Sequence, residues 1–190
     1  MSRRNEVSRV IRRIERRVVA RSPGWCSAVS GARCVTDQLC ARRDVPVPGD
    51  VARLLAGVPE WFGREDANAA YVVDARELET WTVHDARGVV VGVTLVTRHF
   101  PHVAEVHLMV VERAHHGRGV GSAMLEAIER DAREGGVRLL EVKTLGPSHP
   151  DPGYARTRRF YEKMGFLALE ETDLWGEDTP CLIMVKPLGG

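Results

Sequence analysis

The stretch from Val103 to Glu134 constrains the fold of this chain more than any other. Val103-Ala104-Glu105-Val106-His107-Leu108-Met109-Val110-Val111 is rich in β-branched and apolar residues and predicts a strand. Pleat alternation would put Val106, Leu108 and Val110 on one face and Glu105, His107 and Met109 on the other. A short turn and the glycine-rich run Gly117-Arg118-Gly119-Val120-Gly121-Ser122 follow. A helix is predicted from Val120 to Glu134, with Val120, Met124, Ala127 and Ile128 as its apolar stripe and Gly135-Gly136 as its stop. Alternate glycines before a helix either make a plain connecting turn or bare a row of N–H groups at the positive end of a helix dipole. The second arrangement suits a phosphate or pyrophosphate. The spacing G-x-G-x-G is neither the dinucleotide fingerprint G-x-G-x-x-G nor a P-loop, which needs Gly-Lys-Ser/Thr after four intervening residues.

Val111 followed by His116-Gly117-Arg118-Gly119-Val120-Gly121 resembles the acyl-CoA-binding core of the GNAT family of N-acetyltransferases. In that family a hydrophobic strand ending in Val leads into Q/R-x-x-G-x-G/A and a helix, and here His116 departs from the usual Gln or Arg. A second stretch, Tyr154 to Phe166, is similar to the family's N-x-x-A-x-x-F-Y-E-x-x-G-F. Phe160, Tyr161, Glu162, Gly165 and Phe166 match, while Tyr154 replaces Asn and Thr157 replaces Ala. The two motifs stand in the family's order and spacing. Together the resemblance covers about residues 33–188.

The resemblance implies an α/β (α+β) fold in three layers: a twisted, mixed but mostly antiparallel sheet flanked by helices. It implies acetyl-CoA as co-substrate, with Met109, Val110, Val111, His116, Gly117, Arg118, Gly119, Val120, Gly121 and Ser122 holding it. The Val111 N–H would face the thioester oxygen, and Tyr161 would protonate the departing thiolate. Glu105 stands six residues before Val111, where histone-type members carry a general base. A carboxylate in an apolar strand is expected to have a raised pKa, and His107 on the same face could relay a proton. Glu105 could equally be a strand residue paired with an arginine. The implied activity is acetyl transfer to a primary amine by direct attack in a ternary complex. A non-catalytic acyl-CoA-binding module and a protein or peptide acetyltransferase are the alternatives.

Composition narrows the partners. A formal charge of +1 argues against a nucleic-acid binder that works by overall charge; the resemblance implies a small-molecule amine as partner, and a homodimer is open. No apolar run reaches membrane-spanning length and none near the N-terminus looks like a signal peptide, so the cytoplasm is the expected location. Cys26, Cys34, Cys40 and Cys181 lack zinc-ligand spacing, so no metal is expected. Of the 27 basic residues only Lys143, Lys163 and Lys186 are lysines.

Residues 1–32 read as an extension and 33–190 as the domain. Val7, Val10, Ile11, Ile14 and Val18 predict an amphipathic helix whose other faces are dense in arginine. That extra N-terminal helix either packs on the domain or serves a membrane, nucleic-acid or protein surface. A first strand is predicted within Arg33–Leu39, and Asp50 as the N-cap of a helix carrying Val51, Leu54, Leu55 and Val58. Trp61, Phe62 and Tyr71 are either core fillers or the wall of an acceptor cup. Glu170, Glu171, Asp173, Glu177 and Asp178 either rim the acceptor site, favouring a cationic amine, or form a solvated face. Arg113, Arg118, Arg156, Arg158 and Arg159 are expected near the phosphates.

Overall fold

The computed structural model describes residues 39–176 and 178–189. The predicted N-terminal helix, Cys26, Cys34 and Glu177 lie outside them, as does the predicted first strand apart from Leu39, which is not in a strand. Seven strands are described: β1 (Ala41–Asp44), β2 (Glu79–His84), β3 (Val90–Phe100), β4 (Val103–Val111), β5 (Leu139–Leu145), β6 (Leu167–Thr172) and β7 (Cys181–Pro187). Four α-helices join them: α1 (Pro48–Ala56), α2 (Glu65–Asp74), α3 (Val120–Glu134) and α4 (Pro152–Lys163). The sheet order is β1-β2-β3-β4-β5-β7-β6, and every neighbouring pair is antiparallel except β4 and β5. That parallel pair follows from its connection, because α3 crosses over between the two strands.

Each face of the sheet buries its own apolar cluster. Val120, Met124, Leu125 and Ile128 of α3 pack with Val96, Val106, Val142 and Tyr161 on one face. Val51, Leu54 and Leu55 of α1 pack with Val93, Leu95, Leu108 and Val110 on the other. Helix α1 starts at Pro48 with Val47 as its N-cap, earlier than expected. Proline is pre-set for the first helical position, so Asp50 falls inside the first turn and pairs with Arg53 at 2.8 Å. Asp151 caps α4, accepting the Tyr154 N–H at 3.0 Å.

Strand β4 does not alternate simply. Val106 pairs with Val96 and Leu108 with Leu95, so His107 is an extra residue with no partner across the ladder. This β-bulge switches the faces. Ala104, Val106, Met109 and Val111 belong to the α3 face, while Leu108 and Val110 belong to the α1 face. The uninterrupted alternation expected over Val106, Leu108 and Val110 is therefore corrected by one inserted residue. In the neighbouring strand, Gly92 lies under α3: a Cβ there would come within 2.7 Å of Val120 Cγ1. Gly92→Val should lower stability by about 1–3 kcal/mol in urea unfolding, because the stiff Val120 side chain cannot move aside cheaply.

Candidate active site

Strands β4 and β5 pair only from Val103/Leu139 to Val106/Val142. Beyond that point β4 runs on to Val111 and β5 to Leu145 with no ladder between them. The gap opens into a cavity of about 800 Å³, within the size range of small-molecule sites. Its wall includes Met109, Val110 and Val111 from β4, and Lys143 and Thr144 from β5.

Register decides where the free backbone groups of β4 point. Glu112 donates to the Val91 carbonyl at 2.8 Å, so Glu112/Val91 and Val110/Val93 are the hydrogen-bonded pairs. The N–H and C=O groups of Met109 and Val111 therefore face away from β3, toward the gap. The Val111 carbonyl accepts from His116 Nε2 at 2.8 Å, which pins the turn that follows β4.

Gly117 (φ +70°) and Gly119 (φ +86°) adopt left-handed backbone that carries the chain into α3, and Gly119 is its N-cap. The Ala123 N–H is the first of the helix to bond back, to the Gly119 carbonyl at 2.9 Å. The N–H groups just before it lie at the unpaired, positive end of a 15-residue helix. His116, Gly117, Gly119, Val120, Gly121 and Ser122 all line the cavity. Arg118 does not, and its N–H turns back to the His115 carbonyl. A Cβ on Gly121 would meet Phe160 Cζ at 3.1 Å and Met109 Sδ at 3.6 Å, so bulk there would narrow the cavity. Thr144 adds a buried hydroxyl with no hydrogen-bond partner among the described residues. Glycine cradle, helix terminus and unpaired hydroxyl together fit an extended ligand with a phosphate end and a polar arm.

On the α3 face, Tyr161 lines the cavity and packs between Phe160 and Phe166 at ring distances of 5.2 and 5.5 Å. Its hydroxyl makes no hydrogen bond to any described residue, and burial pushes its pKa up, so it stays protonated near neutrality. Tyr154 instead donates to the Trp61 carbonyl, tying α4 to the segment after α1. Trp61, Phe62 and Tyr71 line the cavity and also pack against the α1 core, so core and cup are the same residues here.

Glu105 sits below the branch point of the gap and is not on the cavity wall. Its oxygens are occupied: His99 Nε2 is 2.6 Å from one and Lys143 Nζ 2.9 Å from the other, with His107 Nδ1 at 3.9 Å. Burial alone would raise its pKa, as expected from the strand, but these three cationic partners outweigh it and hold the carboxyl far below the usual range. The expected direction was wrong because every partner comes from elsewhere in the chain or across the bulge. His107 does line the cavity, with Nε2 2.9 Å from Asp74. Burial opposes its charge, yet Asp74 and Glu105 raise its pKa to about 9.

These shifts fix a pH dependence. The stability from charged His107 is complete below its unfolded value of 6.5 and disappears as pH rises through about 9. That from Glu105 is complete above its unfolded value of 4.5 and is lost as pH falls toward its depressed folded value. Melting followed by circular dichroism should therefore show Tm falling as pH climbs from about 7 to about 10, with His107→Gln flattening the fall.

Sequence reasoning missed His99, Asp74 and Lys143. The available signal was the rarity of lysine: Lys143 and Lys186 each pair with a buried carboxylate, Glu105 and Glu129 respectively. Of the acidic segment, Trp175 lines the cavity, whereas Glu170, Glu171, Asp173 and Asp178 do not, and Glu170 and Glu171 lie on β6, an edge strand of the described sheet. Among the five arginines expected at the phosphate end, Arg156 lines the wall and lies 6.0 Å from the Trp61 ring centroid. Arg113 is paired with Glu60, and Arg158 donates to the Leu145 carbonyl. Among the described residues, no helix is long and apolar enough to cross a membrane.

The structure is similar to that of a GNAT family acetyltransferase from Elizabethkingia anophelis with acetyl-CoA bound (TM-score 0.60, 14% identity, covering 80% of this chain and 99% of that one). It is similar to Ard1 from Thermoplasma volcanium (TM-score 0.63, 18% identity, 80% and 99%). It also resembles an aminoglycoside 6'-acetyltransferase type Ii (TM-score 0.61, 21% identity, 79% and 97%). At such identities these likenesses speak for the fold. No curated protein sequence matches the chain. The sequence model described as the acetyltransferase (GNAT) family matches residues 51–166, more than half of the chain, from α1 to the end of the second motif. The chain belongs to the acetyltransferase (GNAT) family, a family of acyltransferases.

Proposed function

We propose that the protein transfers the acetyl group of acetyl-CoA to a primary amine by direct attack while both substrates are bound. The observation that carries this reading is the through-going gap beyond Val106 and Val142, with a phosphate-suited helix terminus at one end and His107 at the other. The N–H groups from Gly119 to Ser122 hold the diphosphate, with Gly117 leaving room beside it and His116 bracing the turn. Met109, Val110 and Val111 border the pantetheine arm, and the gap-facing N–H of Val111 meets the thioester oxygen as negative charge develops there. The amine nitrogen forms its bond to the carbonyl carbon, the C–S bond breaks, Tyr161 gives its proton to the leaving sulfur, and the proton shed by the acylated nitrogen restores the Tyr161 hydroxyl.

Glu105 serves this chemistry as a positioning residue. It is off the cavity wall with one oxygen engaged by His99 and the other by Lys143, and it keeps His107 and Lys143 charged and in place. The expectation of a cationic acceptor rested on the acidic rim and loses that support. The catalytic domain is assigned to residues 33–190, with 1–32 as a separate extension.

Calorimetric titration with acetyl-CoA, followed by a thiol-release screen of amines, tests the reading. Saturable binding and amine-dependent release are expected. Binding without release in the presence of any amine would favour a non-catalytic acyl-CoA-binding module.

A further inference from the structure

The α1 face of the gap carries a distinct chemistry. Lys143 and His107 line the cavity there, and no carboxylate does, among the described residues. Asp74, Glu105 and Glu141 compensate these cations from off the wall. The Lys143 ammonium has three donors; Glu105 takes one at 2.9 Å and Glu141 another at 2.6 Å, leaving the third. Lys143 alternates with Val142 and Thr144 along β5, so it faces away from the coenzyme side that Tyr161 and Thr144 occupy. His107 precedes Val111 by four residues, about 13 Å of strand, so neither cation is within reach of the glycine loop's phosphates.

Beside them runs an apolar wall. Tyr71 meets His107 edge-on at 5.5 Å, Phe62 meets Tyr71 at 6.1 Å, and Trp61 continues it toward His116. A site of this kind presents one spare cationic donor next to a broad aromatic surface. It complements a small molecule with a carboxylate near its amine and a large apolar substituent. A polycationic amine would meet the two cations on the wall, their carboxylate partners already engaged behind them. The neutral form of the bound amine is the form that attacks, and among the described residues no free base lines this end of the gap.

Building on the acetyltransferase reading above, we propose that the acceptor is an α-amino acid with a large apolar side chain. Its carboxylate is held by Lys143 beside His107, and its side chain lies against Tyr71, Phe62 and Trp61. Lys143 is then the specificity-determining residue of the acceptor site.

The test compares substrates that differ only in charge. With the full chain and saturating acetyl-CoA, CoA release is measured for L-phenylalanine, L-leucine, their carboxamides and a linear diamine. The acid should exceed its amide in kcat/KM by about tenfold or more, mostly through KM, since a charge-assisted contact of this kind is worth about that factor. The diamine should be the poorest. Lys143→Met should bring the acid-to-amide ratio close to one, and Lys143→Arg should keep most of it. Amides used as well as acids, or a preferred diamine, would overturn the proposal even if Lys143→Met fails to fold, because the wild-type comparison stands alone. A Lys143→Met variant that loses kcat equally on acid and amide would place the lysine at the thioester instead, and would also overturn it. Absence of acetyl-CoA binding, or of release with every amine, would contradict the acetyltransferase reading itself and this inference with it.

Discussion

Gly121→Val is expected to weaken acetyl-CoA binding on the order of 100-fold, equivalent to about 2.7 kcal/mol. Gly121 lies in the first turn of α3, on the cavity wall, and even a single Cβ there would sit 3.1 Å from Phe160 and 3.6 Å from Met109. A branched side chain would stand where the arm leaving the helix terminus has to pass, and would screen the N–H groups around it. Gly121→Ala should produce a smaller loss, because one methyl needs only a small shift of the Phe160 ring. Calorimetric titration of both variants checks the order. Gly121 has a right-handed helical backbone that any residue can adopt, so any fall in melting temperature would come from the push against Phe160 and Met109 and should be smaller in Gly121→Ala. Unchanged affinity in Gly121→Val would mean that the coenzyme does not cross this turn.

Tyr161→Phe should lower kcat by about 100-fold or more, the lower end of what a positioned general acid contributes, while leaving acetyl-CoA affinity intact. Few buried tyrosines allow so clean a comparison. The hydroxyl has no hydrogen-bond partner among the described residues, so removing it breaks no contact of the fold. The ring keeps its packing against Phe160 and Phe166. A variant with unchanged Tm, unchanged affinity and unchanged kcat would make Tyr161 a core residue and nothing more.

Much of the scaffold was legible because its signals are local. The periodicity around Val103–Val111 and Val120–Glu134 was strong enough to give the bounds of β4 and α3 as observed. The Gly135-Gly136 stop falls where the chain does turn left-handed, at Gly136. What was not legible depended on register or on partners distant in the chain. The bulge at His107 exists only relative to Leu95 and Val96, and no pattern within β4 announces it. Strand β1 has four residues at an edge of the described sheet and no alternation to detect.

The pKa of Glu105 shows the same division. Its burial was foreseeable from an apolar strand, but His99 comes from β3 and Lys143 from β5, and together with His107 they reverse the sign. Reading charge into a strand requires knowing its neighbours. Likewise Glu170 and Glu171 could be a rim or a solvated face in sequence, and the sheet order carries them to an edge of the described sheet.

A crystal structure with acetyl-CoA bound tests the central claim most directly. The account predicts the diphosphate on the N–H groups from Gly119 to Ser122, and the pantetheine threaded between β4 and β5 with its thioester oxygen at the Val111 N–H. Phosphates settled on another surface, or a coenzyme lying outside the gap between those strands, would contradict it.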